Sequence, residues 1–403
     1  MANYDLIVCG AGPAGAVAAA TAAQAGLHVA LLEKHTLPRH KTCGGGTPMV
    51  MQNLVRDLVP DAIVESDVLL MRHTWNFAEP HLAPINVSET DRKLSIWMMQ
   101  RSVFDNALAQ RAAHAGAKLL DGVAVRSVEL EGDRVRVRAS TKERELTATA
   151  RYVIGADGAN SVTAHVLKRR RPPTIALGME VEHPHTWGSG HSDLRPEIAH
   201  LEYGAVKYGY AWVFPKADHL NIGAGVFRPQ YGDARRDRAA RGELQQAIFG
   251  YLNALHLKYN PDTIRFHAHP LPVWSGKEQL HSPDGRVLLA GDAARLINPL
   301  FGDGILHAVK SGAIAATCVA EGTTQRYSDR IHAEFAANFD AALRLAQLFY
   351  RYPSLCYKYG VNHPRGTRLA TQLLAGELSF THMFSRALRR LQSGLLGHSA
   401  SAR

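Results

Sequence analysis

Three glycines near the amino terminus have the spacing of a loop that cradles a phosphate group. They stand in the segment Gly10-Ala-Gly12-Pro-Ala-Gly15, which follows an apolar stretch and opens an alanine-rich one. In such a loop the first glycine allows a tight turn, the second lets a pyrophosphate approach, and the third lets a helix pack closely on a sheet. Glu33, 18 residues after Gly15, has the position of a carboxylate that accepts hydrogen bonds from a ribose. The pattern predicts a dinucleotide site, and a plain glycine-rich turn is the alternative.

The stretches on either side of this loop predict the strand–helix–strand unit that must hold it. Residues 4–10 and 28–33 are typical of buried parallel strands, and residues 13–25 of a helix. Further strands are predicted from alternating or apolar patterns in 67–98, 117–154 (a small antiparallel meander), 174–270 and 286–291. Further helices are predicted for 48–58, 102–116, 304–320, 329–350 and 367–396.

Two later segments distinguish a flavin from a nicotinamide dinucleotide. Residues 153–161 are Val-Ile-Gly-Ala-Asp-Gly-Ala-Asn-Ser, and residues 287–304 end in Pro-Leu-Phe-Gly-Asp-Gly. With the first loop they resemble the FAD proteins of the p-hydroxybenzoate hydroxylase fold. That resemblance implies that Asp292 binds the ribitol chain and that the turn at 299–304 starts a helix aimed at the isoalloxazine ring, where its N-terminus stabilises the anionic reduced flavin. It also implies that Arg101 reaches the FAD, and a salt bridge at a helix start is the alternative.

Three more segments narrow the resemblance to one family. They are Lys41-Thr-Cys43-Gly44-Gly45-Gly46, residues 208–216 (Tyr-Gly-Tyr-Ala-Trp-Val-Phe-Pro-Lys) and residues 355–360 (Leu-Cys-Tyr-Lys-Tyr-Gly). Together they resemble the geranylgeranyl reductase family, which includes archaeal membrane-lipid reductases and chlorophyll geranylgeranyl reductases. The resemblance covers essentially the whole chain. It implies hydride transfer from reduced FAD to isolated C=C bonds of a prenyl chain, with a positioned acid supplying the proton.

The same resemblance implies the partners of the reaction. The expected substrate is a prenyl lipid, a prenyl diphosphate or a prenylated pigment. Because only one complete dinucleotide fingerprint is present in the sequence, the electron donor is expected to be external, either NADPH or a reduced ferredoxin.

The resemblance also assigns roles to individual side chains. Cys43 is the expected catalytic residue, and an ordered water or a tyrosine is the alternative proton donor. The expected substrate-binding residues are Tyr210, Trp212, Phe214, Lys216, Cys356 and Tyr359. The expected cofactor-binding residues are Gly10, Gly12, Ala14, Gly15, Glu33, Lys34, Cys43, Gly44, Gly46, Arg101, Ala124, Asp157, Gly291, Asp292, Pro299, Gly302, Gly304 and Ile305.

Each substrate-side residue also has a purely structural interpretation. The three aromatic residues alternate along one strand, so they share a face that could be core rather than the wall of an apolar tunnel. Lys216 could be a surface lysine rather than a ligand of a phosphate group. Cys43 could be an inert buried thiol, although the three glycines after it indicate a backbone that approaches something closely. Cys356 could be a packing residue.

The fold class expected from these patterns is α/β. A FAD-binding Rossmann-like domain of the p-hydroxybenzoate hydroxylase type is expected from residues 1–70, 99–172 and 271–325. A substrate-binding cap with an antiparallel β-sheet is expected from residues 71–98 and 173–270. Residues 326–403 are expected to form a helical C-terminal region.

Composition and charge exclude several other classes. The chain has 403 residues, a formal net charge of +10 and four cysteines, none of them in CxxC spacing. We therefore expect no disulfide scaffold and a reducing, cytoplasmic compartment. Without CxxC or HExxH spacing we also expect no metal. Nucleic-acid binding is not expected, because no basic stripe with interleaved aromatics is present, and no apolar run of about 18 residues predicts a membrane-spanning helix.

The positive charge is compatible with contact to an anionic membrane surface. Residues 385–396 are basic and amphipathic, which suits a peripheral helix. A helix packed on the protein with a charged outer face is the alternative.

Two other functions are compatible with parts of the sequence. A flavin-dependent monooxygenase or halogenase shares the fold and the FAD elements, but the Cys-Gly-Gly-Gly loop and the Leu-Cys-Tyr-Lys-Tyr-Gly segment argue against it. A lipid-binding protein that keeps FAD as a structural group is the second alternative.

Overall fold

The computed structural model describes residues 2–55, 58, 63–87, 93–168, 174–188, 191–227 and 234–383. The expected domain boundary at 172–173 and the basic segment 385–396 lie outside these residues.

The described strands are β1 (Ala2–Cys9), β2 (Val29–Leu32), β3 (Gly46–Pro48), β4 (Val64–Val68), β5 (Leu70–Trp75), β6 (Ala78–Pro84), β7 (Ile96–Met99), β8 (Lys118–Leu120), β9 (Ala124–Glu131), β10 (Arg134–Ser140), β11 (Glu145–Gly155), β12 (Thr174–Pro184), β13 (Ile198–Glu202), β14 (Gly209–Pro215), β15 (His219–Val226), β16 (His267–Val273) and β17 (Val287–Leu289).

The α-helices of the same residues alternate with the strands and then fill the C-terminal part. They are α1 (Pro13–Gln24), α2 (Arg101–His114), α3 (Ala234–Ala254), α4 (Ile305–Ala320), α5 (Tyr327–Ile331), α6 (Ala337–Arg351), α7 (Pro353–Cys356) and α8 (Gly366–Ala375). In the part of the chain that the structure describes, no helix combines the length and the apolarity needed to cross a membrane.

The first sheet contains the predicted dinucleotide unit. Its strand order is β8-β2-β1-β11-β10-β9, and β17 pairs with β11. The central strand β1 runs parallel to β2 and to β11. Its consecutive residues Leu6 and Ile7 pack into two different apolar clusters, one on each face of the sheet. Burial on both faces explains why the strands of this unit are continuous apolar runs in the sequence.

The second sheet is antiparallel apart from one strand pair. Its order is β16-β12-β15-β14-β13-β5-β6, and only β13 and β5 run parallel to each other. A third, small sheet has the order β3-β7-β4. The mixed α/β architecture, with a helical region after the last strand, confirms the expected fold class. The division into a FAD-binding domain, a cap and a C-terminal region stays a prediction.

The region 174–270 is strand-rich as predicted, but it also contains the long helix α3, whose buried residues Ala240, Leu244, Ala247, Ile248 and Tyr251 follow a helical spacing. The helix predicted for 48–58 is wrong for the described residues of that segment, which form only a 3-10 turn, Met49–Asn53. Its end is marked by the Leu54 N–H, which donates to the Met51 carbonyl three residues back.

Candidate active site

A cavity of about 810 Å³ is lined by residues of both large sheets and of the C-terminal helices. It extends from the glycine loop after β1 to an apolar arm, which we define by Met71, Ile96, Met98, Leu201 and Leu374. The Lys and Arg side chains that line the cavity in the described part of the chain belong to the first sheet and its loops: Lys34, Arg39, Lys41, Arg101 and Arg126. The cavity therefore has a cationic region and an apolar region.

The three glycines of the first loop have different surroundings. Gly10 has a positive φ of +99°, and a Cβ on Gly15 would lie 1.8 Å from the Gly10 carbonyl oxygen. These two glycines therefore allow the turn and the close approach of α1. A Cβ on Gly12 would have only the Arg39 Nη2 nearby, at 3.9 Å, and Gly12 lines the cavity. The free N–H groups of α1, which begins at Pro13 without a side-chain cap, are therefore adjacent to open space.

The Glu33 carboxylate closes this loop from the next strand. It is buried, accepts the Ala11 N–H at 3.0 Å and the His35 N–H at 3.1 Å, and lies 3.4 Å from the Arg39 guanidinium. The Arg101 guanidinium binds Asp105 through two hydrogen bonds of 2.8 and 2.9 Å while it also lines the cavity. Its predicted salt bridge at a helix start is thus present, and the same group is available to a ligand.

A second helix N-terminus lies in the cavity wall. Helix α4 starts after Gly304, which has no side-chain cap, and Asp292 and Gly302 line the cavity next to it. Two uncapped helix starts and the cationic side chains around one elongated cavity form a donor set for a molecule with a pyrophosphate and a ring system that becomes anionic on reduction. The residues present therefore fit FAD.

The Cys-Gly-Gly-Gly loop is held against the second sheet from several sides. The Cys43 N–H donates to Glu180 Oε1 at 2.8 Å, and the Gly45 N–H donates to Cys43 Sγ at 3.4 Å. Lys216 Nζ donates to the carbonyl oxygens of Gly44 and Met99, both at 2.8 Å. This network fixes the loop at the junction of the cationic and apolar regions.

The glycines of this loop are required by packing. Gly45 has a φ of +74°, and a Cβ there would lie 2.0 Å from the Met99 carbonyl oxygen. A Cβ on Gly44 would lie 2.7 Å from the Phe214 ring. The backbone of the loop is therefore in direct contact with β7 and with an aromatic side chain of β14.

The aromatic stripe of β14 faces the cavity. Tyr210, Trp212 and Phe214 all line it, whereas the intervening Ala211 and Val213 are buried on the other face of the strand. Neighbouring ring centroids of the stripe are about 6 Å apart, at 6.0 and 5.9 Å. The Trp212 Nε1–H donates to Asn221 Oδ1 at 2.8 Å, which fixes the orientation of the indole.

Most of the predicted cofactor residues line the cavity, and two do not. Gly15 is buried beneath the loop, and Pro299 is not part of the lining, although both lie next to residues that are. The others lie in the wall: Gly10, Gly12, Ala14, Glu33, Lys34, Cys43, Gly44, Gly46, Arg101, Ala124, Asp157, Gly291, Asp292, Gly302, Gly304 and Ile305. Their contact with FAD stays a prediction.

Three of the predicted substrate residues do not line the cavity, and their contact with a substrate stays a prediction. Lys216 is only 1% exposed, so it is not a surface lysine, and its ammonium donates to two carbonyl oxygens of the protein. Cys356 and Tyr359 lie outside the lining, and Tyr359 is 68% exposed. Within that segment it is Tyr357 that packs inward, against Trp75 and Tyr203.

Several residues of the wall were not predicted from the sequence. At the apolar arm, His73 Nε2 lies 2.7 Å from the Thr367 hydroxyl, and Tyr203 Oη lies 3.3 Å from His73 Nδ1. Burial, and secondarily His81, lowers the pKa of His73 to about 3, so this imidazole is neutral at physiological pH. Glu180 is another unpredicted polar residue of the wall. A lone acid within the apolar run Leu-Gly-Met-Glu-Val was the only signal that could have found it.

Comparison with known proteins agrees with this architecture. The family described as FAD binding domain matches residues 3–338. Digeranylgeranylglycerophospholipid reductase 1 of Methanopyrus kandleri is 31% identical over 364 residues, which cover 86% of this chain and 90% of the relative.

Two solved structures share the fold. A geranylgeranyl bacteriochlorophyll reductase-like protein of Thermoplasma acidophilum has a TM-score of 0.75 at 23% identity and covers 94% of this chain and 93% of its own. A flavin-dependent brominase has a TM-score of 0.70 at 18% identity, covering 97% and 100%. At these identities the structures indicate a common fold and nothing about the reaction.

Proposed function

The chain belongs to the geranylgeranyl reductase family of FAD-dependent oxidoreductases, and from this premise we propose that it saturates C=C bonds of a geranylgeranyl or other prenyl chain. The observation that carries the proposal is the continuity of one cavity from the glycine loop, past Cys43, into the apolar arm. A prenyl chain offers no hydrogen-bonding group along its length, so it needs such an apolar enclosure. We propose a prenyl lipid, prenyl diphosphate or prenylated pigment as the substrate class.

The cofactor half of the cavity is assigned to the residues of the first sheet. In this proposal the N-terminus of α1 and the guanidinium of Arg101 would bind the pyrophosphate, Glu33 the ribose and Asp292 the ribitol chain. When bound and reduced, FAD supplies the hydride and both electrons for the reaction. We propose that NADPH or a reduced ferredoxin restores its electrons from outside the chain.

In this proposal the second sheet and the Cys43 loop enclose the substrate and deliver the proton. An isolated alkene is a poor hydride acceptor, so a proton must reach one carbon as the hydride reaches the other. The aromatic stripe of β14 excludes water from the reacting bond and orients the chain by flat contact with its rings. We propose that Cys43, which lines the cavity between the two regions, gives its thiol proton to the substrate carbon.

The anaerobic half-reaction tests the proposed function. The purified flavoprotein is reduced with dithionite and mixed with geranylgeranyl diphosphate, geranylgeraniol or a prenylated quinone. We expect the absorbance of oxidised flavin to return and the lipid to gain two hydrogens for each flavin reoxidised. A flavin-dependent monooxygenase or halogenase of the same fold would give a different result in this experiment. If none of the prenyl compounds reoxidises the flavin, while oxygen yields a hydroperoxide-like absorbance with an aromatic substrate present, the protein is a monooxygenase or halogenase and the proposal is wrong.

The role of Cys43 is tested by comparing two cysteines. In Cys43→Ala we expect the rate of flavin reoxidation by the prenyl substrate to fall by about 10²-fold or more, because the proton donor is lost. The FAD content should stay the same. Cys356→Ala is the matched control, because that thiol lies outside the cavity lining. Stopped-flow absorbance measures both rates, and equal losses in the two variants would exclude a specific role for Cys43.

A further inference from the structure

Glu180 is an acidic residue buried in a central strand of the second sheet. It lies on β12, where it is paired with Gly223 of β15 and His267 of β16, and it is only 1% exposed. Its side chain lines the cavity. Oε1 accepts the Cys43 N–H at 2.8 Å, across 137 residues of sequence. A carboxyl group at this position thus holds the residue that we assign to proton donation.

The second oxygen of this carboxyl group is unsatisfied. In the described structure Glu180 Oε2 is fully buried and has no hydrogen-bond partner. An ionised carboxylate with a bare oxygen is costly in such a place, whereas a neutral acid places its proton on that oxygen and needs no counter-charge. The bare, buried oxygen therefore favours the protonated form of Glu180.

The groups around Glu180 act on it in opposite directions. Burial raises the pKa of Glu180, and the neighbouring carboxylate of Glu182 acts in the same sense. The Asn221 amide, the Cys43 N–H and the Lys216 ammonium lower it. The net effect is a pKa above the ordinary value of a glutamate, because burial is the largest of these influences.

We propose that Glu180 is a positioning residue for Cys43 and also holds in reserve the proton that Cys43 gives up when a C=C bond is reduced. The inference rests on the function proposed above and deepens it. Nothing in the family match or in the names of the relatives assigns this residue a role.

When bound and reduced, FAD would supply the hydride, with its two electrons, for one new C–H bond. The S–H proton of Cys43 would form the other C–H bond, so the π bond is consumed. The O–H bond of Glu180 then breaks and the S–H bond of Cys43 re-forms, either by direct transfer or through one water. The carboxylate left at Glu180 is driven to take a proton from water by its own burial, which restores the starting state.

Glu180→Gln removes the transferable proton but keeps an oxygen that can accept the hydrogen bond from the Cys43 N–H. The glutamine oxygen can still accept the Cys43 N–H, but the amide cannot release a proton. We expect normal FAD content and at least a 10²-fold lower rate of flavin reoxidation by the prenyl substrate under turnover conditions. The wild-type rate should fall as pH rises through the pKa of Glu180, and the variant should lose that limb of the profile. Glu182→Gln, two residues along the same strand and outside the cavity lining, is the control. It should keep the pH-dependent limb, shifted to lower pH because the Glu182 carboxylate raises the pKa of Glu180.

A measurement without substrate separates this inference from the proposed function. In a pH series, the infrared spectrum of the oxidised holoenzyme should contain the C=O band of a protonated carboxyl group that persists to higher pH than the bands of exposed carboxyl groups. Glu180→Gln should lack this band, while Glu182→Gln retains it. If the band is present but no prenyl compound is reduced, the proposed function fails while the protonated acid stands. If the band is absent, or if Glu180→Gln matches the wild-type rate and profile, the proton reserve is wrong whatever the substrate.

Discussion

Replacing Gly15 by alanine is expected to yield a protein that retains no FAD and unfolds at a markedly lower temperature. The added Cβ would lie 1.8 Å from the Gly10 carbonyl oxygen, and no side-chain rotation can move either atom away. Helix α1 would have to move away from β1, although nearly all of its residues are buried between the sheet and its neighbouring helices. Overpacking of this kind costs about 3 kcal/mol. Thermal unfolding and the flavin absorbance that co-elutes with the protein measure the two effects.

Two other glycines provide controls for this prediction. A Cβ on Gly12 would meet only the Arg39 Nη2 at 3.9 Å, so Gly12→Ala should fold within about 1 kcal/mol of wild type. It should still lose FAD affinity, because the methyl group occupies the space that a pyrophosphate needs. Gly242, in the exposed part of α3, has no neighbour within 4 Å, and Gly242→Ala should gain about 0.5–1 kcal/mol. If Gly15→Ala retains FAD and unfolds at the same temperature as Gly242→Ala, the clash does not govern the loop.

The cofactor half of the site could be predicted from the sequence because its signals are local. The glycines of the first loop, α1 and the two flanking strands lie within the first 33 residues, and each glycine meets a requirement of its own backbone. Glu33 was predicted from its distance along the same unit. Its hydrogen bond to the Ala11 N–H shows that the spacing also serves to close the loop.

The substrate half could be predicted only where alternation revealed a face. The stripe on β14 has a period of two, and the structure places that face on the cavity. Cys356 and Tyr359 share a motif with Tyr357, but a short irregular segment gives no rule for which side chain points inward. Here the buried position belongs to Tyr357.

The residues behind the Cys43 loop were beyond prediction because they depend on contacts between distant parts of the chain. Glu180 and Lys216 bind the loop across 137 and 172 residues of sequence. The sequence shows that each carries a charge, but not that each is buried. Because Glu180 is buried, it can serve as the proposed proton reserve. Because Lys216 is buried, its ammonium binds carbonyl oxygens of the protein and acts as a clamp on the Cys43 loop.

The second large effect is a pH dependence of the free energy of unfolding that originates from Lys216. Burial, only partly offset by Glu65, Cys43, Glu180 and Glu182, lowers the pKa of Lys216 from 10.5 to about 8. Between these two values the unfolded chain keeps a proton that the folded protein releases, so the free energy of unfolding rises as pH increases from 8 to 10.5. The interval corresponds to about 3 kcal/mol, at about 1.4 kcal/mol for each pH unit. Below pH 8 both states are protonated and this gain is absent.

Lys216→Met removes the titrating group, so the contribution can be isolated as a difference. We expect the free energy of unfolding of wild type minus that of Lys216→Met to increase by about 3 kcal/mol between pH 8 and pH 10.5, measured by urea denaturation. Other titrating groups contribute to both proteins and largely cancel. Lys142→Met, at an exposed turn, should give a difference that does not change with pH. A constant difference for Lys216→Met as well would mean that its ammonium titrates as an ordinary lysine. The two carbonyl bonds would then offset its burial fully, and Lys216 would hold the Cys43 loop as a permanently charged clamp.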